Sequence, residues 1–158
     1  MTVRVLIPSG ALGLNYDKEA LRRGLRKNPD IIAIDGGSTD SGPSYLGEGI
    51  SKYSRVSIKA EWKGLMEARE SANIPLLIGT AGTCGSDSAV DWFLDITREI
   101  ATDLKQSLKV VVLRCSQNNA NVIKAYSEGK IKPLPNAPPL STEVISNCTN
   151  IVALAGAE

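Results

Sequence analysis

Histidine is absent from the sequence, and aromatic residues make up only 4% of its 158 residues. Without histidine, the chain alone cannot form a Ser-His-Asp triad, a Cys-His pair or a histidine-ligated metal site. Proton transfer would therefore fall to Asp, Glu, Cys, Lys or Tyr side chains. Any acid–base chemistry has to be sought among those five residue types.

The sequence also has few cysteines, no excess of charge of one sign and no long apolar run. The three cysteines, Cys84, Cys115 and Cys148, are widely spaced, which favours a reducing compartment over a disulfide framework or a zinc site. The formal net charge is +1, so no charge excess indicates nucleic acid or a membrane surface. No apolar run reaches the ~20 residues of a membrane span, and the N-terminal residues lack a secretory pattern. We therefore expect a cytoplasmic protein without a membrane or nucleic-acid partner.

What the sequence does contain is an alternation of two kinds of segment. Short apolar segments rich in β-branched residues are typical of parallel strands covered on both faces. They predict five strands, at residues 3–8, 31–35, 75–78, 110–115 and 151–155. Between them, apolar residues recur at helical spacing. That spacing predicts helices at residues 17–27, 54–72 and 88–106, with shorter candidates at 119–127 and 141–148.

This order of segments predicts a Rossmann-like α/β fold, with three layers around a mostly parallel sheet of about five strands. Two stretches interrupt it: residues 36–53 are polar and rich in glycine, and residues 129–140 contain four prolines and predict an irregular connection. We expect a single domain spanning residues 1–158. The last predicted strand would have an exposed edge, which proteins usually cover or keep short. We therefore expect either a short edge strand in a chain that stands alone or a chain that belongs to a larger assembly.

Ligands of open parallel sheets bind at the carboxyl ends of the strands, near the point where the strand order reverses. The loops that follow the first four predicted strands all carry small or polar residues, and we expect them on one rim. These loops are residues 9–13, 35–43, 79–87 and 114–119. The sequence therefore predicts a small-molecule site on this rim.

The second of these loops carries two candidate catalytic carboxylates, Asp35 and Asp40. Such groups can hold Mg²⁺, orient substrate hydroxyls or act as a general base. The alternative is that both accept hydrogen bonds from loop amides in Asx turns. The candidate substrate-binding residues of this loop are Gly36, Gly37, Ser38, Thr39 and Ser41.

The third loop leads into a predicted helix, where free amides and the helix dipole favour an anion. It lacks the Lys and the spacing of a P-loop, and residues 9–13 lack the dinucleotide fingerprint. Its glycines could equally serve tight turns with positive φ. Cys84 is a candidate nucleophile because a thiolate is favoured near a helix N-terminus, with burial as a small apolar residue as the alternative. The candidate anion-binding residues are Gly79, Thr80, Gly82, Thr83, Gly85, Ser86 and Asp87.

Four stretches of the sequence point to one family. They are IAIDGGSTDSGPSYLG at residues 32–47, SKYSR at 51–55, PLLIGTAGTCGSDSAVDW at 75–92 and NIVALAGAE at 150–158. Together they resemble the N-terminal part of the acyclic terpene utilisation (AtuA-like) family, whose members are usually much longer. The resemblance implies a catabolic enzyme that acts on a small branched or carboxylated metabolite or its coenzyme A thioester. It also implies that the chain corresponds to the first part, or one subunit, of a larger enzyme.

Three functions remain open at this point. The first is a lyase, hydratase or isomerase that moves a proton next to a carbonyl, with Asp40 or Asp35 as base and the third-loop amides holding an oxygen anion. The second is a non-catalytic ligand-binding subunit that completes its site with a partner chain. The third is a nucleotide-binding domain, since Asp35 lies where a ribose-binding acid would lie. The expected partners are a small-molecule substrate and either further copies of the chain or a partner subunit.

Overall fold

A computed structural model describes residues 2–37 and 43–153 of the chain. These residues form three strands and six helices. In chain order, the elements are β1 (Val5–Leu6), α1 (Lys18–Leu25), β2 (Ile31–Asp35), α2 (Pro43–Glu48), α3 (Arg55–Ala72), β3 (Leu76–Gly79), α4 (Asp87–Leu104), α5 (Asn119–Ser127) and α6 (Thr142–Asn147).

The three strands form one parallel sheet with the order β1-β2-β3. Val5 of β1 pairs with Ile31 of β2, and Ala33 of β2 pairs with Leu77 of β3. Parallel strands joined by helices are the Rossmann-like kind of α/β fold that the sequence predicts. The α/β class and the parallel sheet are therefore confirmed.

Polar residues begin the main helices close to the predicted positions. Asp17, Ser54 and Ser86 precede α1, α3 and α4, and each side chain accepts a hydrogen bond from a free amide of the first turn. Asn73 ends α3 with a left-handed backbone, φ 52°. The short helix α2 lies inside the segment that the sequence predicts as a polar insertion, where it has no apolar periodicity to reveal it.

The core lies between one face of the sheet and helices α1, α3 and α4. Ile32 and Ile34 are the buried residues of β2, and they belong to the same apolar cluster as Leu21 of α1 and Leu65 of α3. Trp62 links the two long helices: its Nε1 donates to Thr97 Oγ1 at 3.0 Å. Its ring also meets Phe93 edge-on, with 4.8 Å between centroids.

The other face of the sheet has no helix against it in the part of the chain that the structure describes. Right-handed crossovers between strands in the order 1-2-3 place every connecting helix on the same side of a sheet. The residues that alternate with the buried ones therefore point away from the core. We call this surface the outer face; it consists of Val3, Val5, Ile7, Ile31, Ala33 and Leu77.

The prediction of about five strands is wrong. Residues 110–115 form no strand, and Val111 is 91% exposed. Of residues 151–153, Val152 makes a single antiparallel bridge with Ser116. An apolar run supplies only a local preference for extended backbone, whereas a strand also needs a sheet edge to pair with. The third layer expected from the sequence is accordingly not seen among residues 2–37 and 43–153.

The last two helices pack against each other. Asn119 at the start of α5 donates through Nδ2 to the carbonyls of Ile145 and Cys148, at 3.0 and 2.9 Å, which joins α5 to the end of α6. Tyr126 donates its hydroxyl to the Leu140 carbonyl at 2.7 Å. Within the described ranges, no helix has the length and hydropathy needed to cross a membrane.

An ion-pair cluster between α3 and α4 gives the fold a pH-dependent contribution to stability. Glu99 accepts hydrogen bonds from Arg55 at 2.6 Å and from Lys59 at 3.1 Å. These contacts lower the pKa of Glu99 from 4.5 to about 2, and the hydrogen bond from Arg55 contributes most to the shift. The folded chain thus holds this proton less tightly than the unfolded chain. The contribution is present above pH 4.5 and is lost as the pH falls towards 2.

We expect the unfolding free energy of Glu99→Gln to fall less steeply than that of the wild type over this pH interval. The difference should be small, since exposed ion pairs contribute little. Urea unfolding at a series of pH values measures it, with Glu67→Gln, an exposed carboxylate on α3, as the matched control. Identical slopes for Glu99→Gln and the wild type would contradict the assignment.

Candidate functional site

Backbone hydrogen bonds join the first three post-strand loops at the carboxyl ends of the strands. The amide of Leu12 donates to the carbonyl of Asp35 at 2.8 Å, and that of Gly36 to Gly79 at 2.6 Å. Thr83 donates back to Gly36 at 3.3 Å. The second loop therefore lies between the first and the third and is bonded to both.

The fourth loop joins this group at the beginning of α4. Asp87 and Ser116 exchange two hydrogen bonds, from the Asp87 amide to Ser116 Oγ at 3.0 Å and from the Ser116 amide to Asp87 Oδ1 at 3.2 Å. Arg114 forms a bidentate contact with Asp91 one turn further along α4. All four loops named in the sequence analysis are thus contiguous, and we call this surface the rim.

The first loop is closed by a carboxylate that the sequence analysis missed. Glu61 of α3 accepts hydrogen bonds from the amides of Gly13 at 2.7 Å and Asn15 at 3.1 Å. Tyr16 donates its hydroxyl to the Glu61 carbonyl at 2.9 Å, and burial, together with nearby carboxylates, raises the pKa of Tyr16 to about 12. Nothing local marks Glu61, because its partners lie more than 40 residues away in the chain.

Asp35 lies where β2 ends and enters the rim. Its Oδ1 accepts the Gly37 amide at 3.1 Å, which is the Asx turn considered as the alternative for this residue. Its other carboxylate oxygen has no hydrogen-bond partner among the described residues. The side chain is half-buried. Asp35 pairs with Gly79 in the sheet register, and a Cβ at Gly79 would find no atom of the described residues within 4 Å.

The other residues proposed for the second loop cannot all be placed. Gly36 and Gly37 are buried beside Asp35. Asp40, Ser38, Thr39 and Ser41 lie outside the described residues, so their predicted roles stay predictions.

The glycines of the second and third loops permit close packing between those loops. A Cβ on Gly36 would lie 2.6 Å from the Gly79 carbonyl oxygen, and one on Gly37 would lie 2.6 Å from the Cα of Thr83. Gly37 and Gly82 also have positive φ, at 137° and 68°. This is the turn-and-packing role that the sequence left open for these glycines.

The buried polar groups of the third loop bond to the protein itself. Thr83 Oγ1 accepts the Lys52 amide at 3.1 Å. Ser86 caps α4 by accepting the Ala89 amide at 3.3 Å, and Cys84, 4% exposed, has its sulfur 3.3 Å from Ser86 Oγ. These side chains face the interior instead of the solvent above the rim.

The remaining residues of this loop lie nearer the surface. Thr80 and Gly85 are half-buried and have positive φ, at 48° and 67°. Gly79 is exposed at the end of β3, and Asp87 is the first residue of α4. Asp35, Gly79, Thr80 and Asp87 are therefore the candidate residues that a ligand above the rim could reach.

Two further features bear on the chemistry of the chain. No group of three or more Asp, Glu or Cys side chains within the described ranges is placed to hold a metal ion. A hollow of about 330 Å³ lies at the opposite end of the strands from the rim. Its lining residues, which include neither carboxylate nor cysteine, are Leu25, Arg26, Asn28, Pro29, Ser71 and Ala72.

The packing role of the rim glycines can be tested by adding a methyl group. We expect Gly36→Ala to destabilise the fold by about 1–3 kcal/mol, because the new Cβ overlaps the Gly79 carbonyl. Gly10→Ala is the matched control: its Cβ meets no atom of the described part of the chain within 4 Å, so its effect should stay within about 0.5 kcal/mol. Chemical denaturation measures both, and equal stability of the two variants would refute close packing at Gly36.

The burial of Cys84 predicts unequal thiol reactivity. In the native protein, iodoacetamide should label Cys115 and Cys148, which are partly exposed, much faster than Cys84. Peptide mapping by mass spectrometry measures the three rates, and unfolding in guanidinium should make them similar. Rapid native labelling of Cys84 would instead restore it as a candidate nucleophile.

No family model, curated protein or solved structure matches the chain. The resemblance to the AtuA-like family therefore stays a prediction from the residues quoted above.

Proposed function

We propose that the chain is a catabolic enzyme domain or subunit that binds a small carboxylated or acyl-coenzyme A metabolite above the rim, with Asp35 as its proton acceptor. The observation that carries the proposal is the setting of Asp35. One carboxylate oxygen is held by the Gly37 amide. The second has no partner among the described residues and adjoins Gly79, where a Cβ would meet none of their atoms within 4 Å.

This setting suits the transfer of a proton next to a carbonyl. A carboxylate held by one oxygen keeps its orientation, while the other oxygen can take a proton from the carbon beside a carbonyl. The resulting enolate can then reprotonate or expel a leaving group, which are the steps shared by isomerases, hydratases and lyases. Asp40 follows five residues later and is the second candidate base, as the sequence predicts. The AtuA-like resemblance supports the substrate class.

The same contacts support a second candidate, a non-catalytic ligand-binding subunit. Thr83, Cys84 and Ser86 are buried and bonded within the third loop. The acids that the described part of the rim presents to a ligand are Asp35 and Asp87, and the carboxylate of Asp87 is already engaged by the Ser116 amide and Arg114. With Asp35 as the base, a group from another chain would complete the acid–base pair.

A nucleotide-binding function is less well supported than either. A pyrophosphate would approach the first loop through its amides, but those of Gly13 and Asn15 already donate to Glu61. A second negative charge at that position would be repelled by the carboxylate.

Substitution of Asp35 tests the proposal while keeping the turn. In Asp35→Asn the amide oxygen can still accept from Gly37, so the negative charge is lost and the loop is kept. A thermal-shift panel would contain short acyl-coenzyme A thioesters, free short-chain carboxylates, adenine and nicotinamide nucleotides, and Mg²⁺. A ligand at a hundred times its dissociation constant should stabilise the fold by about 2.7 kcal/mol.

We expect the wild type to respond to a thioester or a carboxylate, and Asp35→Asn to lose turnover of that compound at least ~100-fold. Asp95→Asn on α4, whose ion pair is with Arg98, is the matched control and should behave as the wild type. Unchanged turnover in Asp35→Asn would remove Asp35 from the mechanism. A response to nucleotides alone would favour the third function, and binding without turnover in any form would favour the second.

A further inference from the structure

We infer that the outer face of the sheet is a docking surface for a second copy of this chain, which would form a two-fold dimer. This inference does not rest on the proposed function. It begins with the strand order: β1, β2 and β3 follow one another across the sheet, so right-handed crossovers leave one side without helices. Parallel sheets in α/β proteins are normally covered on both faces.

The residues on that side form a continuous apolar surface. The sheet register places Val5 beside Ile31, and Ala33 beside Leu77. Val5 is 52% exposed and Leu77 is 57% exposed. Val3 and Ile7, which flank β1 at the same alternation, are more than half exposed as well. Exposed apolar side chains are common singly, but a contiguous set on one sheet face marks an interaction site.

The size of the surface suits a second copy. At the usual area of an aliphatic side chain, the outer face presents roughly 450 Å² of apolar surface, within the range of the largest patch on a monomer. Two such faces together would bury roughly 900 Å², which is below the ~1,000 Å² of a stable interface and in the range of a weak, transient one. A self-complementary patch of this area fits a two-fold dimer of low affinity.

Charge also favours self-association over a charged partner. The outer face carries no ionisable side chain until Asp35 at its carboxyl end. Arg4, between Val3 and Val5 in the chain, is directed elsewhere, since its guanidinium donates to the Lys27 carbonyl. With a net charge of +1, two copies repel each other only weakly, and near-zero net charge promotes association. Nucleic acid, an anionic membrane or a strongly charged protein would find no complementary charge on this surface.

Analytical ultracentrifugation of the wild type tests the inference. The concentration range is about 5–500 µM, because an interface of this size should dissociate within it. We expect a reversible monomer–dimer equilibrium. Leu77→Lys places two cations in the interface by symmetry, and it should weaken dimerisation at least ~tenfold. Val56→Lys is the matched control, since Val56 is 80% exposed on α3, and it should dimerise as the wild type does.

Three outcomes would overturn the inference: a wild type that stays monomeric throughout the range, association that Leu77→Lys leaves unchanged, or equal weakening by Val56→Lys. If Leu77→Lys does not fold, as judged by circular dichroism, Leu77→Thr removes apolar area while keeping a residue suited to strands. A folded Leu77→Thr with a weakened dimer supports the inference, and one with wild-type affinity contradicts it. A monomeric wild type would exclude a second copy of the chain as the occupant of the outer face.

Discussion

The consecutive pairing of three parallel strands is the constraint on which the rest of this structure depends. Because each crossover turns in the same direction, α1 and α3 come to lie on one side of the sheet, and α4 packs beside α3 through Trp62 and Thr97. That arrangement concentrates the core between Ile32, Ile34 and the helices. It also leaves the opposite side without a helix in the described residues. A doubly wound fold avoids this by reversing its strand order, and no reversal occurs in this sheet.

The absence of a reversal changes where a ligand can bind. In a doubly wound sheet, the reversal opens a crevice between neighbouring loops. Here the second loop is bonded on both sides, to Leu12 and to Gly79, and its glycines permit that closeness. The space that the described residues leave open lies instead beside Asp35 and Gly79, at the carboxyl end of the outer face.

Much of the local structure was predictable from the sequence. Asp17 and Ser54 begin helices because their short polar side chains satisfy free amides, and this needs only neighbours in the chain. The strands at residues 31–35 and 75–78 were recognised from their apolar runs, as was the parallel sheet from the alternation of segments. The run at residues 110–115 carried the same signal and formed no strand, because a ladder requires a partner edge that no local pattern supplies. Glu61 was missed for a related reason: its role depends on loop amides distant in the chain.

The sequence by itself determined the class of fold, the approximate extents of all the described helices except α2, and the identity of the loops at the strand ends. These depend on periodicity, capping and turn residues, which act over a few neighbouring positions. Only the tertiary structure decided how many strands pair, which face of the sheet is covered and which polar groups remain accessible. Such properties depend on contacts between distant segments. The hydroxyls of Thr83 and Ser86 look like ligand-binding groups in the sequence, but they are buried in the fold, because packing between loops determines which side chains reach solvent.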